Sequence, residues 1–230
     1  MYFSVITPEE RLLRQAAHEL AQSSYADHQW LWEFFPSSED QTRDFIFRRH
    51  ALEQVPRFYV VSQRPPTAFS EAWQVQSRSY DPQLLEGQRL SFQLCANPVV
   101  TKKNADGKPQ RHDVVMQAKK QLLAERELNA DAKWKEWFGE DGKPLLYELV
   151  QESCIDWLQS RADNHGFTVM AANVDAYQQK KAGKRGIRFS TVDFSGELRV
   201  TDPALFQQVL FNGLGHAKAF GCGLLLVKKV

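Results

Sequence analysis

The chain has 230 residues, of which 43% are hydrophobic and 25% are charged, and its formal net charge is +1. This composition excludes global disorder and predicts a buried core, in one large domain or two small ones. Because the net charge is close to zero, any binding of nucleic acid must depend on local basic patches.

The cysteines and histidines indicate neither a disulfide framework nor a metal site. Three cysteines (Cys95, Cys154 and Cys222) are scattered without a C-x-x-C spacing, which predicts a reducing compartment. The histidines show no metal-ligand spacing, so we expect no metal and no cofactor. The first residues do not resemble a signal peptide, and no apolar run approaches about 18 residues. We therefore expect a soluble, cytoplasmic protein that does not contact a membrane.

The first half of the chain predicts one small mixed domain. A strand at 2–6 is followed by a helix, with Thr7 as its N-cap, Pro8 in its first position and Glu10 closing a capping box. A second helical segment extends to Pro36. Further strands are predicted at 43–49, 57–63 and 72–80. The turn-rich segment 81–88 is the predicted boundary between domains 1–86 and 87–230.

The second half predicts a larger domain with an insertion. Its predicted strands cover 89–100, 167–177, 186–194 and 223–230, and its predicted helices cover 145–166 and 202–213. The polar stretch 101–143 is predicted to leave the core, with a partial helix around 116–130.

Without this insertion the second half has the order β-α-β-β-α-β, which is the ferredoxin-like order. The first half has the order β-α-β-β-β, with little room for a second helix before its last strand. The predicted fold class is therefore α+β, with two tandem ferredoxin-like (RRM-like) domains and four-stranded antiparallel sheets. RNA-binding modules of this topology commonly bind through the sheet.

The segment "GLGHAKAFGCG" (213–223) is rich in glycine and carries one lysine, Lys218. Glycines at Gly213, Gly215, Gly221 and Gly223 permit positive φ and could present backbone N–H groups to a phosphate. The segment does not follow a strand into a helix, so it is neither a P-loop nor a Rossmann fingerprint. The alternative interpretation is a helix C-cap followed by a tight turn.

Basic residues concentrate in one predicted hairpin and in the insertion. The stretch 178–188 contains five cations and no acid: Lys180, Lys181, Lys184, Arg185 and Arg188. The insertion adds Lys102, Lys103, Lys108 and Arg111. Such a hairpin could enter a groove or follow a phosphate backbone, although it could also be a solvated surface.

Tyr25 and His28 are one helical turn apart within "SSYADHQWLWEFFP" (23–36). Cleavage of RNA needs no metal, because the 2′-OH is an internal nucleophile. It needs a base, an acid for the leaving 5′-oxygen and donors for the charged phosphorane. Histidine can carry either proton. The alternative is that both residues border a core formed by Leu31, Phe34 and Phe35.

Four segments together resemble the CasE family of CRISPR-associated endoribonucleases: "HQWLWEFFP", "RDFIFR", "LEGQRLSFQLCANPV" and "FSGELRVTDPALFQQVLFNGLGHAKAFGCGLLLV". The last is the most specific, and the resemblance fails only in 101–143. It implies metal-independent cleavage of precursor CRISPR RNA at the base of the repeat stem-loop, which leaves a 5′-hydroxyl and a 2′,3′-cyclic phosphate. It also implies that the mature guide RNA is retained within Cascade, and we expect a monomer when the protein is free.

The resemblance also implies roles for individual residues. The family's catalytic histidine and tyrosine fall on His28 and Tyr25. Its groove-reading hairpin falls on Lys180, Lys181, Lys184 and Arg185. Its glycine-rich loop falls on 213–223. The chain departs from the family at Gln93 and Cys95, where relatives often carry arginines, and at His216, where a basic residue is frequent. Two other functions stay open: a non-catalytic stem-loop RNA-binding module and a regulator that binds a small phosphorylated molecule.

Overall fold

The computed structural model describes residues 1–22, 27–36, 42–50, 55–104, 106–126, 134–137, 142–182 and 187–230. Tyr25, Lys184 and Arg185 therefore lie outside the described residues. His28 is described by the position of its backbone.

The N-terminal half forms one antiparallel sheet with helices on one face. Its strands are β1 (Tyr2–Pro8), β2 (Phe45–His50), β3 (Arg57–Ser62) and β4 (Trp73–Ser79), in the order β2-β3-β1-β4. Its helices are α1 (Leu13–Gln22) and α2 (Asp27–Trp32). The core under these helices is aromatic, and Trp30 contacts Phe34, Phe58 and Trp73 with ring centroids 4.5–4.9 Å apart.

The predicted capping box at the start of the first helix is wrong. Thr7 and Pro8 belong to β1, where they lie opposite Gln74 and Trp73. Glu9 N–H then donates to the Ala72 carbonyl at 2.8 Å, and a short 3₁₀ turn precedes α1. Pairing with β4 therefore overrides the local helix-start signal, and Pro8 is tolerated because it ends the strand.

The C-terminal half forms a second sheet with the same topology. Its strands are β5 (Arg89–Ala96), β8 (Phe167–Ala182), β9 (Ile187–Val200) and β10 (Leu225–Lys229), in the order β10-β5-β9-β8, and its main helices are α4 (Leu146–Ala162) and α5 (Pro203–Asn212). In both sheets the first and third strands of the unit are central and all pairs are antiparallel. The predicted fold class is thereby confirmed. The N-cap at Asp202 is also present, and its carboxylate accepts from Ala204 and Leu205 N–H.

The insertion is more ordered than the sequence predicts. It contains the hairpin strands β6 (Val99–Lys103) and β7 (Pro109–Asp113), followed by α3 (Val114–Glu125). The predicted strand 89–100 is therefore two strands, which separate at Asn97 and Pro98. The expectation that 101–143 leaves the core is wrong for its middle, because Val114 and Val115 are buried in the C-terminal core.

A small interface joins the two sheets. Ile46, Val61 and Leu224 form a buried apolar cluster. Beside it, Arg48 of β2 donates to Asp193 of β9 at 3.3 Å. Residues 80–88 connect the sheets, and the division of the chain at residues 86 and 87 remains a proposal that falls within this connector. No helix in the described ranges has the length and apolar character needed to cross a membrane.

Candidate nucleic-acid interface

The glycine-rich loop is a closed turn fixed by backbone hydrogen bonds. Leu214 N–H donates to the Gly223 carbonyl at 2.9 Å, and Gly223 N–H donates to the Cys95 carbonyl of β5 at 2.7 Å. Gly223 has φ +94°, and a Cβ there would lie 2.8 Å from the Leu214 carbonyl oxygen. Only glycine fits this position without strain. The loop therefore forms the tight turn that the sequence analysis gave as the alternative interpretation. Its backbone hydrogen bonds hold this shape.

The same loop brings the two halves of the chain together. A 3₁₀ turn within it, Lys218–Phe220, contacts both α2 and β2 of the N-terminal half. Gly221 lies against Phe47 of β2, where a Cβ would be 3.2 Å from the ring. On the other side, the Phe220 ring lies 4.8 Å from that of Phe189 in β9. The helix that carries His28, the glycine-rich loop and the stem of the basic hairpin are therefore neighbours.

Helix α2 is held firmly despite its short length. Trp30 and Leu31 are 1% and 0% exposed, and Phe34 and Phe35 after the helix are equally buried. At its N-terminus Asp27 forms an ion pair with Arg49 of β2, 3.0 Å apart. The predicted packing of Leu31, Phe34 and Phe35 is present, and the backbone of His28 is fixed relative to β2 and the loop.

Positive side chains cluster around the loop, and none of the described carboxylates forms an ion pair with them. Burial lowers the pKa of Lys218, and Arg43 lowers it further. Burial also lowers the pKa of His216, and the nearby Arg111, Arg161 and Lys218 lower it further. Like charges gathered in this way disfavour their own charged forms, and an anion at this place would relieve the repulsion. The electrostatics therefore fit a phosphate group.

Arg43 and Arg161 are site residues that sequence reasoning missed. Arg43 directly precedes β2, and Arg161 is in the last turn of α4, where its guanidinium lies 5.8 Å from the Trp157 ring centroid. Neither is part of a basic run. No local sequence pattern could have identified them as site residues, because α4, the glycine-rich loop and the residue before β2 come together only in the folded chain.

The predicted basic residues of the hairpins fall into two places. Lys180 and Lys181 belong to β8 and Arg188 to β9, where Lys181 and Arg188 face each other across the strand pair. All three are exposed. Lys102 instead lines a groove between the insertion and α4, and its neighbour Lys103 is exposed at the end of β6. The structure therefore groups Lys180, Lys181 and Arg188, and it does not bring Lys102 into that group.

A family model described as CRISPR-associated protein matches residues 1–229 of the chain. The chain belongs to this family. It is 27% identical over 205 residues to the Cascade subunit CasE of Escherichia coli K12, covering 87% of this chain and 89% of that protein. The resemblance to the CasE family predicted from the sequence is thereby confirmed.

Solved structures share the fold over the whole chain. The CRISPR-associated protein Cas6e of Escherichia coli K-12 has a TM-score of 0.61 at 21% identity, and each chain is covered completely. Cse3 of Thermus thermophilus, solved with an RNA that represents a pre-cleavage complex, has a TM-score of 0.68 at 22% identity. That match covers 99% of this chain and 98% of the Thermus chain.

Proposed function

We propose that the chain is an endoribonuclease that processes precursor CRISPR RNA. One observation carries this proposal: the helix bearing His28 packs against a tight loop around which several cations gather. Membership of the CRISPR-associated family and the similarity to CasE support the choice of RNA as the substrate. The cut falls at the base of the repeat stem-loop.

The reaction needs no metal, since the substrate supplies its own nucleophile. The 2′-oxygen attacks the adjacent phosphorus as a base takes its proton, and the bond from phosphorus to the 5′-oxygen breaks as an acid gives that oxygen a proton. His28 carries one or both of these protons, and Tyr25 positions the 2′-OH or helps to deprotonate it. Lys218 and Arg43 stabilise the charged phosphorane. The products are a 2′,3′-cyclic phosphate and a 5′-hydroxyl.

The protein remains bound to the mature guide RNA as a subunit of Cascade. The similarity to the Cascade subunit CasE supports this assembly. The Thermus relative solved with RNA supports binding of the repeat stem-loop. Before assembly we expect the chain to be a monomer.

A single-turnover assay tests the proposal. The purified protein is mixed in excess with the repeat RNA of the CRISPR array in its source genome, with EDTA present. We expect one cut and a cyclic phosphate end. Loss of cleavage in EDTA would contradict the metal-independent mechanism. A gel shift without shortening of the RNA would favour the alternative, a non-catalytic stem-loop RNA-binding module.

We expect the basic hairpin to contribute to the salt dependence of RNA binding. Replacing Lys180 and Lys181 with glutamine should weaken binding at every salt concentration. It should also reduce the slope of log K against log salt by about 1 for each phosphate that is no longer neutralised. Titrations at several salt concentrations measure this slope, and Lys184 and Arg185 are tested in the same way. An unchanged slope would remove the hairpin from the interface.

Binding of RNA near His216 should take up a proton. In the free protein burial and the nearby cations lower the pKa of His216, which favours its neutral form. A bound phosphate favours the charged form and raises this pKa, so affinity should rise as pH falls through the window between the two values. The slope can reach about tenfold per pH unit for one proton. Comparing the native protein with His216→Gln isolates this contribution, and identical pH profiles would contradict it.

A further inference from the structure

A cavity of about 770 Å³ lies between the insertion and the basic hairpin, outside the loop that we assign to catalysis. Its volume falls in the range of small-molecule sites. Its lining comes from the turn between β5 and β6, from β7, from the start of α3, and from β8 and β9. The insertion therefore builds one wall, and the hairpin builds the other.

The charges of this cavity are suited to phosphate. Four cations line it, and Asp113 is the only acid among its described lining residues. The cations are Arg111, Lys180, Lys181 and Arg188. None of them forms an ion pair with a carboxylate of the described residues. A cavity with this charge balance attracts an anion.

The floor of the cavity is a fixed polar network. Tyr177 Oη donates to Asp113 Oδ1 at 3.0 Å, and the Met116 N–H donates to the same oxygen at 2.8 Å. Asn97 Nδ2 donates to the Ser190 carbonyl at 2.7 Å. The Tyr177–Asp113 bond joins β8 to the insertion, and the Asn97–Ser190 bond joins the turn after β5 to β9, so the cavity is formed before any ligand enters.

One feature of the lining fits the face of a nucleobase. Met116 is 41% exposed at the start of α3, which leaves a polarizable apolar surface for the face of a ring.

The cavity is next to the proposed active site. Phe189, which lines it, packs against Phe220 of the glycine-rich loop. Arg111 lines the cavity and is also close enough to His216 of that loop to lower its pKa. An RNA strand whose phosphate lies at the loop can therefore continue past Arg111 into the cavity.

We propose that this cavity binds one unpaired nucleotide that flanks the stem of the repeat RNA, with its base against Met116 and its phosphates against the four cations. This inference rests on the proposed function, because RNA bound at the loop delivers the nucleotide. It gives the insertion a role in selecting RNA by the single-stranded residue beside the stem.

The test is a double-mutant cycle between protein and RNA. Each unpaired nucleotide that flanks the stem is replaced, one at a time, with an abasic residue. The RNA also carries a 2′-deoxy group at the mapped cleavage site, so that only binding is measured. At one position we expect the abasic change to weaken binding to the native protein by about tenfold, as for loss of one stacked base. Met116→Ala should weaken binding of the intact RNA several-fold.

The decisive result is coupling between the two changes. In Met116→Ala the abasic change at that position should weaken RNA binding much less than it does in the native protein. The matched control is Met170→Ala, since Met170 is a methionine of β8 with 46% exposure outside the cavity. It should leave both affinities unchanged. Independent effects of Met116→Ala and the abasic change at every position would overturn the inference.

A free nucleotide offers the cavity the same base and phosphate as an unpaired nucleotide of the RNA. The four ribonucleoside monophosphates are titrated alone into the native protein and into Met116→Ala. Binding that depends on Met116, with RNA affinity insensitive to every abasic change, would assign the cavity to a free nucleotide and overturn the RNA assignment. A native protein that cleaves RNA but shows no coupling defeats only this inference, whereas one that neither binds nor cleaves the repeat defeats the proposed function itself.

Discussion

His28→Ala is expected to slow cleavage of the repeat RNA by roughly 10²–10⁴-fold, which is the usual contribution of a general acid or base. The affinity for RNA should change little, because the cations around the loop and on the hairpin remain. Single-turnover rates measured with the protein in excess report the chemical step. A gel shift with RNA that carries a 2′-deoxy group at the cleavage site reports binding.

The matched control is His50→Ala, since His50 is an exposed histidine at the end of β2. It should cleave at the native rate. If His28→Ala also cleaves at the native rate, His28 is not the proton carrier. If His28→Ala loses binding and cleavage together, with an unchanged free energy of unfolding, its role is to hold RNA. Tyr25→Phe provides the next test, because it removes the hydroxyl and keeps the ring.

Much of the fold could be predicted because periodicity and caps agree with the tertiary structure. The amphipathic helix over α4 and the N-cap at Asp202 are local signals that the packing reinforces. The burial of Leu31, Phe34 and Phe35 was also predictable from the apolar run after His28. The start of the first helix was not, since pairing of Thr7 and Pro8 with β4 depends on residues more than sixty positions away.

The insertion shows where sequence patterns become insufficient. Its polar composition indicates an exposed excursion, and β6 and β7 are indeed mostly exposed. The core contacts come from Val114 and Val115, two adjacent residues that carry no helical periodicity by themselves. Asp113, which directly precedes them, caps α3 and also accepts from Tyr177 of β8. A long-range hydrogen bond of this kind has no local signature.

The candidate site lies where the two halves of the chain meet, so its geometry depends on their interface. The apolar cluster of Ile46, Val61 and Leu224 and the Arg48–Asp193 pair fix β2 relative to β9. The glycine-rich loop then contacts β2 and α2 on one side and β9 on the other. This arrangement places cations from four separate parts of the chain around the loop. The loop and His28 are predictions from the sequence, whereas the gathering of cations around the loop is a property of the fold.

Lys218→Ala is expected to lower the single-turnover rate by about 10²–10³-fold, as does removal of one preorganised donor from a site that stabilises developing charge. The Lys218 side chain is half-buried, and its Cγ lies close to Gly223 in the loop, so the first part of the side chain is packed before RNA binds. RNA affinity should fall only a few-fold, because the other cations of the site and of the hairpin still bind phosphates. Lys218→Arg should recover part of the rate, since it keeps the charge and changes the geometry.

Loss of folding would not explain this result. Because burial and Arg43 lower the pKa of Lys218, its charged form is disfavoured in the folded protein relative to the unfolded chain at neutral pH. Removal of the charge by itself should therefore not destabilise the fold, and urea denaturation of Lys218→Ala measures how much the lost packing of the side chain lowers the free energy of unfolding. Lys228→Ala, at an exposed position of β10, is the matched control and should keep the native rate. Equal losses in rate and affinity for Lys218→Ala would show that Lys218 binds the ground state, and an unchanged rate would exclude it from catalysis.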